Sequence, residues 1–175
     1  MIYLTSDWHL NHDQPFIWSA RGFQNVEEMN AAIVQRHNSI VQDGDDVYVL
    51  GDLCMNKDKM EENRQLISSM RGRLHVIVGN HDSDKKTMMY LCCPNVIEIA
   101  PATYLKYKKR TLFLSHYPCF TGNVDSKPPV LSTFGHTHQK EIYYNDIPYM
   151  INVGVDAHDC YPVSIDDVLK WAGKK

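Results

Sequence analysis

The sequence predicts an α/β fold in which two mixed sheets pack face to face with helices outside. Three observations carry that reading. The first half alternates strand-like and helix-like segments as β-α-β-α-β-α, an order that favours parallel strands covered by helices. The second half changes to short β-rich runs joined by turns. The 175 residues, 43% hydrophobic and 22% charged, suit a single domain over 1–175 that is neither disordered nor membrane-bound.

Each element has its own local reason. Residues 2–6 form an apolar, β-branched first strand. After a loop containing Pro15, Asn25 is placed to cap a helix over 26–41, in which Val26, Met29, Ile33, His37 and Ile40 recur at three- and four-residue steps and so share one face. Asp43-Gly44-Asp45 ends that helix, and residues 47–50 read as a buried strand. A second helix over 58–71 carries Met60, Arg64, Ile67 and Met70 and stops at Gly72. Residues 74–78 are a strand, and Ser83 can cap a short helix that finishes before Pro94. Strands follow at 96–100, 103–107, 111–115, 130–134, 142–144 and 148–153, with Asn145-Asp146 as a hairpin turn between the last two. Ser164 and Asp167 resemble a capping box opening a last helix over 165–172.

Composition excludes several classes. The longest apolar runs fall far short of the roughly 18 residues a membrane-spanning helix needs. Net charge is −3 with no dense basic block, so duplex nucleic acid is not an expected partner. Five cysteines, an odd number that includes adjacent Cys92 and Cys93, argue against a disulfide framework. With a strand-like run starting at Met1 and no signal-peptide pattern, the expected compartment is the cytoplasm.

Five short islands carry the chemistry: Asp7-Trp8-His9, Gly51-Asp52, Gly79-Asn80-His81-Asp82, His116 and Gly135-His136-Thr137-His138. Each ends a strand-like run, so side chains far apart in sequence can meet along one sheet edge. In extended backbone, residues two apart point the same way, which lets Asp7 and His9 serve one ion; His136 and His138 share that spacing. Asp52 could bridge two ions, and Asn80 could bind through its neutral amide oxygen. Mixed nitrogen and oxygen donors suit zinc, manganese or iron better than calcium. Two divalent ions set against two carboxylates leave a positive centre, which would attract an anionic ester and generate hydroxide near neutral pH.

Taken in order, these motifs resemble the calcineurin-like metallophosphoesterases, in particular small single-domain bacterial or phage members. The resemblance runs from Asp7 to His138 and implies a four-layer αββα sandwich. It implies that Asp7, His9 and His138 hold one ion, that Asn80, His116 and His136 hold the other, and that Asp52 is shared. It assigns His81 as the catalytic residue that protonates the leaving oxygen, or hydrogen-bonds to the phosphate, while a hydroxide held between the ions attacks in line. Leu53-Cys54-Met55 follows Gly51-Asp52 where phosphoprotein phosphatases carry Asp-Arg-Gly, so a protein substrate is not implied. The expected activity is hydrolysis of a small anionic phosphate ester, a diester before a monoester; a metal-binding scaffold without turnover is the alternative of another class.

The remaining residues divide by neighbourhood. His12 and Arg21 lie in the loop after the first island, where each could reach a substrate phosphate or simply be solvated at the surface. Asp82 reads as shaping its loop, and Tyr117 as lining the pocket or packing at a strand end. His37, His75 and His158 read as structural, Tyr143 and Tyr144 as cross-strand packing. Cys54 and Cys119 lie near the islands, but the donor set is complete without them. Specificity is expected from loops at 10–24, 53–60 and 117–130, the last stiffened by Pro118, Pro128 and Pro129.

Overall fold

In the computed structural model, which describes residues 1–121 and 127–172, the chain forms two mixed β-sheets and five helices. Residues 122–126, part of the expected specificity loop, lie outside the described residues. The first sheet has the order β4-β3-β2-β1-β9, built from β1 (Ile2–Thr5), β2 (Asp46–Val49), β3 (Arg73–Ile77), β4 (Val96–Ala100) and β9 (Val163–Ser164). Strands β1 to β4 run parallel and β9 returns antiparallel on β1. The second sheet, β5-β6-β7-β8, comprises Ala102–Tyr107, Arg110–Ser115, Leu131–Phe134 and Met150–Asn152; β5 is antiparallel to β6, while β6, β7 and β8 are parallel.

Alternation along the strands makes two cores. Tyr3, Val47, Val49, Leu74 and Val76 face one way and meet α2 (Val26–Ile40), α3 (Met60–Ser68) and α4 (Asp84–Tyr90) through Met29, Ile33, Ile67 and Tyr90. Leu4, Leu50 and Ile77 belong to the opposite core, with Leu112, Leu114, Leu131 and Ile151 of the second sheet and Ile165 and Val168 of α5 (Ile165–Trp171). Burying a side chain of this size is worth roughly 1.5–3 kcal/mol, so register is strongly set wherever a strand faces both cores.

Helix α2 starts where its capping chemistry places it: the Asn25 side chain accepts from the Glu28 amide, with Glu27 and Glu28 in the first turn. Ser164 likewise accepts from the Asp167 amide at the start of α5. Other expectations need correction. Ser83 sits at the N-cap of α4, but its side chain makes no capping bond. The helix expected over 58–71 is a 3₁₀ turn at Lys57–Lys59 followed by α3, which ends at Ser68. The loop holding Pro15 contains a single helical turn, α1 (Pro15–Trp18), with proline in the first position, where its missing N–H is not needed. Residues 142–144 do not form a strand: Tyr143 makes one isolated bridge to Ile151, and Tyr144–Asp146 turns as a 3₁₀ segment because Asn145 takes a left-handed conformation. Tyr144 packs edge-on against Phe134 instead of pairing across strands.

This topology positions the site. The parallel strands of both sheets put their carboxyl ends on the same edge. The backbone ties those ends together, with Asp7 N–H donating to Gly51 O, Val155 N–H to Ser6 O and Gly135 N–H to His116 O. No helix among the described residues is long and apolar enough to cross a membrane.

Candidate metal centre

Asp7 and His9 follow β1, Asp52 follows β2, and Asn80 and His81 follow β3. From the other sheet, His116 follows β6, and His136 and His138 follow β7. The carboxyl edge of parallel strands is where α/β folds gather ligand sites. All seven expected donors meet there. Ligand atoms of Asp7, His9 and His138 lie within 4.8 Å of one another, as do those of Asp7, Asp52 and His116, and either group could hold a metal ion. Asp52 Oδ2 is 3.6 Å from His9 Nε2 and 3.5 Å from His116 Nε2, so one carboxylate faces both clusters.

The local backbone is not the extended chain from which convergence was argued. Asp7, His9, Asp52, His136 and His138 all have positive φ, between 50 and 66°. Each such non-glycine residue is strained, and strain of this kind gathers at functional sites. It also explains why His136 and His138 diverge despite their spacing: His138 joins Asp7 and His9, while His136 Nδ1 lies 2.8 Å from Asn80 Oδ1 and 3.2 Å from His116 Nε2. Trp8, between two site residues, turns inward and packs edge-on against His37 in the first core.

Hydrogen bonds at the rear of the rings set which nitrogens face the centre. His116 Nδ1 donates to Leu50 O at 2.7 Å, since a carbonyl only accepts, so Nε2 is the nitrogen left to offer a lone pair to the centre. That lone pair is 2.8 Å from Asn80 Oδ1, a second acceptor. Two acceptors at that distance repel unless a cation or proton lies between them. His138 Nδ1 is held by Asp156 Oδ2 at 2.8 Å, leaving its Nε2 toward the centre. Asp7 Oδ2 accepts from the His136 amide, but buried Asp7 Oδ1 and His9 Nε2 have no hydrogen-bond partner among the described residues. Orphaned buried polar atoms of this kind cost roughly 1–3 kcal/mol each. The glycines complete the cradle: a Cβ on Gly51, whose φ is +93°, would stand 2.6 Å from His116 Nδ1, and one on Gly135 would collide with Ser6 Oγ and Asp7 Oδ2. The donor set therefore fits divalent metal ions.

Electrostatics agree. Burial pushes the Asp7 carboxyl up to about 6, against a lowering pull from His138 and His116. Burial and neighbouring cations drive His9 far below the usual imidazole value, keeping it neutral and able to coordinate. Burial lowers His136 as well. For His138, burial acts downward but the hydrogen bond to Asp156 and the charges of Asp7 and Asp156 outweigh it.

Asp156 is the residue sequence reasoning missed. It follows β8 and a glycine, Val153-Gly154-Val155-Asp156, the same context that singled out Asp52. Its carboxylate holds His138 and also takes a two-pronged bond from Arg21 Nε and Nη2 at 2.9 and 3.0 Å. Arg21 is therefore not a phosphate contact. Its side chain is 2% exposed, and its remaining donors go to the carbonyls of Asp7 and Trp8 and to Met29 Sδ. His12 stays beside the centre, its Nδ1 3.3 Å from His9 Nδ1.

Asp82 shapes its loop through four donors: the amides of Asp52, Leu53 and Gly79, and the Tyr90 hydroxyl. Buried Lys86 adds bonds to the carbonyls of Cys54 and His81. Cys54 Sγ points to Tyr90 in the core, away from the donor clusters. The exposed ring of Tyr117 packs edge-on against His116 and His136. His37 is bonded to Arg71 O, His75 stacks on Tyr48, and His158 stacks on Trp171. His81, exposed, donates its amide to Asp52 Oδ1 and carries its ring 5.4 Å from the His9 ring.

Comparisons with known proteins agree with this architecture. No family model matches the chain. The uncharacterized protein MJ1445 of Methanocaldococcus jannaschii is 35% identical over 99% of this chain and 92% of its own length. The solved structure of AQ665 from Aquifex aeolicus, a protein of unknown function, superposes with a TM-score of 0.72 over 97% of this chain and 98% of its own, at 21% identity, and so shares the fold. An archaeal phosphodiesterase aligns over 87% of this chain and 81% of its own with a TM-score of only 0.48 and 15% identity, too distant to bear on activity. Near full-length identity at this level settles kinship: the chain belongs to the family of M. jannaschii MJ1445.

Proposed function

We propose that this protein is a metal-dependent phosphoesterase that hydrolyses small phosphodiesters. The observation that carries the reading is the position of Asp52: one carboxylate oxygen lies 3.6 and 3.5 Å from two imidazole nitrogens, one from each of two donor groups that meet at Asp7. In this reading Asp7, His9 and His138 hold one divalent ion, Asn80, His116 and His136 hold a second, and Asp52 serves both. The mixed donor set suits manganese, iron or zinc. Bound there, the ions would supply positive charge for an anionic ester and lower the pKa of water toward about 7.

The chain's own residues do the rest. Strained left-handed turns hold the donors in place before any ion arrives. Cleavage breaks a P–O bond, and the departing oxygen needs a proton. His81, exposed beside the His9 cluster, is the imidazole placed to give it, while its amide bond to Asp52 fixes the loop. A diester is favoured over a monoester because Arg21, the arginine nearest the centre, is buried against Asp156. Among the described residues no guanidinium fork is left there for a second phosphate charge. Five unpaired thiols fit a reducing compartment, in keeping with a cytoplasmic enzyme.

The test is initial rate on matched nitrophenyl phosphate mono- and diesters after manganese loading. Faster diester cleavage is expected. His81→Ala should lower the rate on an ester with a poor leaving group by about 10²–10⁴-fold and less on nitrophenyl esters. Full activity of that variant on the poor leaving group would remove His81 from the mechanism. Faster monoester cleavage would make the enzyme a phosphatase, and two bound metals without turnover would leave a scaffold.

A further inference from the structure

We infer that the hollow beside His138 is a subsite for one organic arm of the substrate, and that this arm carries a flat aromatic group. The inference rests on the phosphoesterase reading above. A cavity of about 230 Å³ opens directly at His138 and Asp156, and its far wall is Phe16, Ile17 and Ala20. Phe16 is 67% exposed, although α1 presents it next to the donor cluster, where its ring meets His12 edge-on at 5.7 Å. Ala20 and Asp156 also line an adjoining cavity of about 170 Å³.

The occupant follows from continuity and chemistry. An ester whose phosphorus lies at the donor clusters must send its arms outward, and the hollow begins at a proposed ligand. Its wall of Phe16, Ile17 and Ala20 is apolar, so an arm that lies against it gains by leaving water. Asp156, the carboxylate lining the hollow, is already paired with Arg21 and His138, and Lys140 and Asp159 line only the adjoining cavity. That leaves little to hydrogen-bond a sugar or polyol at the entrance. An exposed phenylalanine ring instead offers a face or edge to another ring, the arrangement aromatic pairs prefer.

Binding of phenylphosphonate and methylphosphonate to the metal-loaded protein, measured by calorimetry, tests this. Wild type is expected to favour the phenyl compound by about tenfold. Both Phe16→Ala, which removes the ring, and Ala20→Trp, which fills the hollow, should bring that ratio to within about twofold of unity. The ratio is compared within each variant, so a general change in metal loading does not mimic the effect. If methylphosphonate binds and the phenyl group adds nothing, or if the preference survives both variants, the subsite assignment is wrong while the phosphoesterase reading stands. If neither phosphonate binds to metal-loaded wild type, the subsite assignment falls, and the phosphoesterase reading is decided separately by turnover of bis(4-nitrophenyl) phosphate.

Discussion

Replacing Asp7 with asparagine separates what this residue does for the fold from what it does for a metal. Asp7 is 1% exposed, and burial raises its carboxyl to about 6 from an ordinary value of 3.8. Because the folded value is the higher one, its contribution to stability is fully present below pH 4 and is lost as pH rises through 6. The gap corresponds to about 3 kcal/mol of native-state destabilisation in metal-free protein at neutral pH. An asparagine side chain at this position would carry no charge and could still accept from the His136 amide. Its own amide group would lie near His9 Nε2, which is 3.9 Å from Asp7 Oδ1. Allowing about 1 kcal/mol for imperfect pairing of that amide, metal-free Asp7→Asn should be more stable than wild type by about 2 kcal/mol. That is roughly 4–8 °C in Tm for a chain of this size.

Thermal unfolding in chelator and in manganese, from pH 4 to 8, reads both effects. In chelator the advantage of the variant should be largest above pH 6 and vanish near pH 4. His9, held neutral in the fold, contributes the opposite slope: stability present above its ordinary value and lost as pH falls below it. That slope is common to both proteins and drops out of the difference. In manganese the order should reverse, because only wild type gains from binding. A metal-free variant no more stable than wild type at pH 8 would refute the argument that Asp7 is held ionised for a ligand at the expense of the fold.

Two further perturbations act on the rear of the cradle. Asp156→Asn keeps an acceptor for His138 but removes the charge that orients that ring and holds Arg21; metal affinity by calorimetry should fall about 10–100-fold, and a change within twofold would show that Asp156 serves only the fold. Gly135→Ala puts a methyl group into Ser6 and Asp7, and should abolish high-affinity metal binding, seen as loss of manganese-dependent stabilisation; unchanged stabilisation would mean the loop can shift freely.

Much of this site is legible in the sequence because the donors come as short clusters at the ends of strand-like runs. Asp7-Trp8-His9 shows why: the two donors flank a tryptophan that the first core demands, so core and site alternate within three residues. What is not legible depends on long-range pairing or on backbone detail. Arg21 and Asp156 are 135 residues apart, and an ion pair across that separation has no local signature. The left-handed turns at His136 and His138 send equally spaced histidines to different clusters, which an extended-chain argument does not foresee. Strand β9 is two residues long and exists because β1 offers it an edge, so neither length nor composition reveals it. Residues 142–144 have strand-like composition, but Asn145 turns the chain before a ladder can form.

If the clustered donors hold a pair of metal ions that hydrolyse a phosphate ester, titrating chelator-stripped protein with manganese, while following bis(4-nitrophenyl) phosphate hydrolysis and bound metal together, will show it. Turnover should be negligible in stripped protein and reach its plateau as the second ion binds. Two ions bound without turnover, or turnover that persists when both have been removed, would contradict it.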